Sequence, residues 1–260
     1  MKEVDSMFQT IVKFKKLMIG LILSALLLSG YGKVNECDAL LTTGMGTNPD
    51  IVVRCGEYGN DEEVKAGKRI YIDDYMYSQV KNQIRVREDG DGLFISEFDI
   101  NVKLGTRIAQ KLSQKGVKVD LQISASKSQD LNAAGRWARS KTPDIYFSVH
   151  HNAFREDSSG YLFIVNNKDK VSEKVAQQLS DSMVNNPMNI PQMKNRYNEN
   201  NYIGEMNEMG KTDSINILGE FGFFSNPEEV VKLVNDEQVE YIAEQMSNEL
   251  IKTLNVCIKN

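Results

Sequence analysis

Asp144-Ile145-Tyr146-Phe147-Ser148-Val149-His150-His151-Asn152-Ala153 is the stretch on which the fold turns. Ile145-Tyr146-Phe147 is apolar enough for a central strand covered on both faces. The strand then runs into a polar end, and in parallel sheets binding groups sit just beyond the C-terminal ends of strands. Successive strand residues face opposite sides, so His150 and Asn152 share a face and His151 turns to the other. Such a doublet taken alone is more often structural than catalytic. A second strand of the same kind, Ile215-Asn216-Ile217-Leu218, runs into Gly219-Glu220-Phe221-Gly222-Phe223-Phe224-Ser225-Asn226-Pro227. It sets a carboxylate at a strand end among aromatics and glycines. Burial raises a carboxylate's pKa and suits it to proton shuttling as a general base. The plainer reading is a Glu reaching solvent.

Working outward, further strands are expected at Asp50–Cys55, Arg69–Asp73, Val117–Ile123 and Tyr161–Val165. Helices alternate with them. Ile100, Leu104, Ile108 and Leu112 recur every four residues, with Gly116 as the stop. Val171, Val175, Leu179 and Met183 form a second stripe, and Val239 to Leu254 a third. Asp130 is placed to cap a helix carrying Ala134, Trp137 and Ala138, stopped before Pro143. The alternation predicts an α/β fold, a twisted, mostly parallel sheet of about six strands with helices on both faces. Between Asn185 and Lys211 the periodicity fails. Such a polar loop is either a wall of a substrate groove or a disordered surface insertion.

Composition narrows the function classes. The chain has 260 residues, 41% hydrophobic and 26% charged, which excludes disordered, collagenous and polytopic membrane proteins. Thirty-one Lys+Arg against 36 Asp+Glu give a net charge of −5, and no long basic run offers a nucleic-acid surface. The only two His are His150 and His151, so any Ser-His-Asp or Cys-His site would have to be built around them. Lys13, Lys15 and Lys16 precede an apolar run, Leu17 to Leu28, and then small residues. That is the layout of an export signal and is too short to span a bilayer. Residues 1–32 are therefore expected to be an export signal or N-terminal tether, and 33–260 a single domain. Leu27-Leu28-Ser29-Gly30 opens like a lipoprotein box, but Tyr31 stands where the lipidated Cys belongs. Cys37 and Cys55 could pair across a short loop, or stand free with Cys257.

A third segment, Ser96-Glu97-Phe98-Asp99-Ile100-Asn101, opens the first long helix. Glu97 there favours the helix dipole, and it can equally serve as a metal ligand at the same sheet edge. Taken in order, the three segments resemble the zinc-dependent N-acetylmuramoyl-L-alanine amidases of the third amidase family, which cut peptidoglycan. The matching features are Glu97 with Asn101, Ser148-Val149-His150-His151-Asn152-Ala153, and Glu220-Phe221-Gly222-Phe223-Phe224-Ser225-Asn226-Pro227. Gly116-Val117-Lys118-Val119, Leu131, Arg136 and Gly160 fit between them, and the resemblance covers roughly Asp38 to the C-terminus.

The resemblance makes the domain of residues 33–260 an amidase-like catalytic one. It implies that Glu97 and His150 are ligands of a Zn2+ ion and that Glu220 is the catalytic acid/base. It further implies peptidoglycan as the substrate and an exported protein acting at the cell envelope or outside the cell. Membrane contact is expected only through the N-terminal segment, and the chain is expected to act as a monomer. The family's third ligand is a His in a glycine-rich loop after the first strand. Here Thr42-Thr43-Gly44-Met45-Gly46-Thr47 is the best match, with Met45 at the ligand position. A second placement ends Ile72-Asp73-Asp74-Tyr75 in Met76. A thioether is a poor substitute for imidazole on zinc. The set is completed only if Asp50, Cys55, Glu57, Asp73 or Asp74 reaches in. The alternative is a catalytically impaired wall-binding or regulatory module on the same fold.

Overall fold

A computed structural model of the chain describes residues 49–56, 69–123, 131–167 and 169–257, all within one compact unit, Asp38–Asn260. Residues 1–32, Cys37, Met45, Glu57 and Asp130 lie outside the described residues. The elements, in chain order, begin with β1 (Ile51–Cys55), β2 (Arg69–Tyr71), α1 (Asp74–Val80), β3 (Arg87–Asp89), β4 (Gly92–Ser96) and α2 (Glu97–Gln114). They continue with β5 (Val119–Ile123), α3 (Leu131–Ser140), β6 (Ile145–Asn152), β7 (Leu162–Val165), α4 (Lys170–Ser182) and β8 (Arg196–Tyr197). The chain then forms a short 3-10 turn at Glu199–Asn201, α5 (Gly204–Met209), β9 (Ile215–Phe223), α6 (Pro227–Leu233) and α7 (Asp236–Cys257).

Six strands make the main sheet, in the order β5-β1-β6-β9-β7-β8. All neighbours run parallel except β7 against β9, as the alternating pattern predicts. β6 and β9 are central, and every β6 residue from Ile145 to His151 is buried. The large core covers one face. Ile100, Leu104, Ile108 and Leu112 of α2 enter it, with Val175 and Leu179 of α4, its C-cap Met183, and Ile242, Met246 and Leu250 of α7. Val171, expected in the α4 stripe, is instead 52% exposed, while its neighbour Ser172 is buried against β9 and accepts the Asn216 N–H at 2.9 Å. The opposite face is covered by α3 and α5, where Val52, Ala138, Tyr146 and Met209 pack together.

Two readings of the sequence change. Arg69–Asp73 does not join the main sheet. Its first three residues are β2 of a separate antiparallel sheet, β2-β4-β3, and Asp73 instead caps α1 by accepting the Met76 N–H at 2.8 Å. The segment Asn185–Lys211 is neither bare loop nor insertion: it pairs as β8, turns, and forms α5 against α3 and β9.

Candidate active site

β6 and β9 deliver the site. His150 and Glu220 are direct neighbours in their parallel register, so both side chains leave the same face of the sheet. Glu220 is the one residue of β9 that is not fully buried. The pairing then slips between His150 and Asn152, and Gly222 takes φ 153° at that irregularity. Bulges of this kind re-aim side chains at sheet edges. They bring the end of β9 back to β6, where the Phe224 N–H donates to the Asn152 carbonyl at 2.9 Å.

Glu97 arrives from a different element. Ser96 caps α2, its hydroxyl accepting the Asp99 N–H at 3.2 Å, so Glu97 is the first helical residue and points back at the sheet edge. Its carboxylate is fully buried. Oε1 accepts the His151 backbone N–H at 3.1 Å and the Asn101 amide at 3.2 Å, and lies 3.3 Å from Nδ1 of His150. Asn101, one helical turn on, ties the edge together. It also donates to the Gly56 carbonyl at 3.1 Å and accepts at 2.7 Å from Nδ1 of His151. His151 thus faces the large core, beside Phe221, with its pKa lowered to about 3 by burial. It is a neutral structural histidine on the opposite face from His150.

The other ring nitrogen of His150 was not anticipated. Nε2 lies 3.2 Å from Oε1 of Glu205 on α5. Ser148, two residues before His150 on the same face, donates its hydroxyl to that same oxygen at 2.6 Å. Arg54 of β1 pairs with Oε2 of Glu205, both side chains fully buried. Burial opposes charge on Glu205, yet the Arg54 guanidinium and the His150 and Ser148 bonds hold its pKa down to about 2. Burial likewise opposes the imidazolium, but the bonds to Glu205 and Glu97 raise His150 to about 10. Two buried carboxylates facing one ring call for a positive charge between them, supplied by a proton or by a metal ion. Glu205 carries no motif. The only sequence signal was a polar break in a chain otherwise periodic.

β1 brings the last contact. Its Gly56 N–H donates to the Val149 carbonyl at 2.9 Å, and a Cβ at Gly56 would come within 2.1 Å of the His150 ring. Only glycine lets the strand end approach the ring so closely. The alternative ligands divide accordingly. Asp50 accepts the Lys118 N–H at the far end of β1, and Asp73 is a helix cap. Asp74 sits exposed in the first turn of α1. Cys55 is a buried free thiol against Gly105, its pKa pushed up to about 12 by burial. None of these four is placed with the site. Met45 and Glu57 remain, outside the described residues; Glu57 directly follows Gly56. Among the described residues no group of three His, Cys, Asp or Glu side chains is arranged to hold a metal.

A family model described as N-acetylmuramoyl-L-alanine amidase matches residues 81–252. The chain belongs to this amidase family. The matched residues include Glu97, His150 and Glu220, whereas β1 lies ahead of them. No curated protein matches the chain. Among solved structures, it is similar to the amidase AmiC2 of Nostoc punctiforme, at 20% identity and a TM-score of 0.57, covering 79% of this chain and 96% of that one. The CwlD amidase from Clostridioides difficile, in complex with the GerS lipoprotein, shares 16% identity at a TM-score of 0.59, covering 81% and 100%. The catalytic domain of the amidase CwlV from Bacillus (Paenibacillus) polymyxa var. colistinus shares 15% at 0.58, covering 79% and 98%. These likenesses establish the mixed α/β amidase fold.

Proposed function

We propose that this amidase-family chain cleaves the amide bond between N-acetylmuramic acid and L-alanine of the peptidoglycan stem, using a zinc ion held by Glu97 and His150. The observation that carries the proposal is the 3.3 Å between Glu97 Oε1 and His150 Nδ1. Two donors about 2.0–2.1 Å from one tetrahedral zinc stand about 3.3 Å apart. Bound there, zinc supplies a Lewis acid that lowers the pKa of water and offsets charge developing on the carbonyl oxygen. Asn101 holds Glu97 in place, and β6 holds His150 beside Glu220. Glu220 accepts the proton of the attacking water as its oxygen bonds to the lactyl carbonyl carbon. It returns that proton to the alanine nitrogen as the C–N bond breaks, so the products are a free carboxylate and a free amine.

Of the third donors weighed from the sequence, Met45 and Glu57 are the two that the described residues do not place elsewhere. Zinc per chain, measured by mass spectrometry under native conditions, tests both the site and this choice. Glu97→Ala and His150→Ala should each abolish bound zinc. Because β1 leaves the sheet at Gly56 against His150, Glu57→Ala should lower zinc content and Met45→Ala should not. Full zinc in His150→Ala would sink the metal assignment.

A further inference from the structure

We propose that Glu205 is a positioning residue that fixes which nitrogen of His150 is presented to the metal. The inference rests on the zinc reading above and adds a residue outside the three matching motifs. An imidazole can bind a metal only through a deprotonated nitrogen, and the other nitrogen must then carry a proton and needs an acceptor. His150 is 6% exposed, so that acceptor has to come from the protein. Nδ1 faces Glu97, the partner ligand, and Nε2 faces Glu205 Oε1 at 3.2 Å. The other tautomer would set a bare Nε2 against Glu205 and leave the proton on Nδ1, toward Glu97.

The carboxylate is itself built in. Glu205 is fully buried, and three groups from two strands converge on it: Arg54 of β1 on one oxygen, Ser148 and His150 of β6 on the other. An uncompensated carboxylate in that place would be costly, and Arg54 supplies the compensation. A mere Arg54–Glu205 tie would leave Oε1 no reason to meet a ring nitrogen. The convergence of Ser148 and His150 on that single oxygen is what singles out positioning.

The test uses the full chain with cobalt(II) in place of zinc. Two quantities are read, the affinity by competition with a chelator and the paramagnetically shifted, exchangeable imidazole N–H proton of His150. In the wild type that proton should be sharp and slow to exchange, because Glu205 holds it away from water. Glu205→Gln should bind cobalt about 10- to 100-fold more weakly. Its His150 proton should broaden or vanish. Met209→Ala, which loosens the same helix without touching His150, should keep both readouts near wild type. Unchanged affinity and an unchanged proton signal in Glu205→Gln would overturn the proposal, as would equal losses in both variants. If Glu205→Gln does not fold, Ser148→Ala replaces it, with a smaller loss of affinity and faster proton exchange expected and no change in either overturning the proposal. A wild type that binds no cobalt would overturn the zinc reading itself, a result distinct from the others.

Discussion

His150 and His151 show how one pleat divides two identical side chains. His150 lies between two carboxylates on the catalytic face, and His151 is bonded to Asn101 on the core face. The His151→Ala variant should therefore keep its metal, unlike His150→Ala. It should still lose about 1–3 kcal/mol of stability, because Asn101 Oδ1 is left buried without that donor. Denaturant unfolding beside metal analysis separates the two, and metal loss in His151→Ala would reverse the assignment. Gly56 makes a second residue-scale prediction. Gly56→Ala forces its Cβ into the His150 ring, so it should weaken metal binding by tenfold or more with little loss of fold. Wild-type affinity would mean the ring can move aside freely.

At the scale of elements, the long stripes and the two apolar strands were legible because each buries one repeating face. The candidate site was legible where a motif sits at a strand end, as at His150 and Glu220, or at a helix start, as at Glu97. What escaped was short or polar. β3 is Arg87-Glu88-Asp89, which has no strand period, and α5 has six residues, too few to show a helical stripe. Arg54 gave no warning either, since an arginine inside a buried strand makes sense only once Glu205 is opposite. The α2–α7 contact carries charge along its rim. Glu244 receives Lys115 at 2.8 Å and Lys111 at 2.9 Å, and these bonds hold its pKa down to about 2. A carboxylate whose pKa falls on folding stabilises the fold above its ordinary 4.5 and loses that contribution as pH drops toward 2. Glu244→Gln should thus cost about 0.5–1 kcal/mol at pH 7, discounted for its exposed rim position. The difference from wild type should shrink through that acid window. A gap that stays constant down to pH 2 would exclude the ion pairs as its cause.

For the whole molecule, the described domain gathers the proposed catalytic residues at one edge of its main sheet. Five separate parts of the chain meet there: the end of β1, the start of α2, the paired ends of β6 and β9, and α5 with Glu205. The net charge of −5 gives no long-range attraction to anionic polymers. Residues 1–32 are proposed to export the chain, and among the described residues no helix is long and apolar enough to cross a membrane. Glu220 is proposed to shuttle the proton in cleavage of the muramoyl–alanine bond. The most direct measurement is mass spectrometry of the products released from purified peptidoglycan by the wild-type chain and by Glu220→Gln. The wild type should release stem peptides with free L-alanine amino termini, and the folded variant should do so at a rate lower by about 10²-fold or more. Cleavage at another bond, or wild-type release of L-alanine termini by Glu220→Gln, would contradict it.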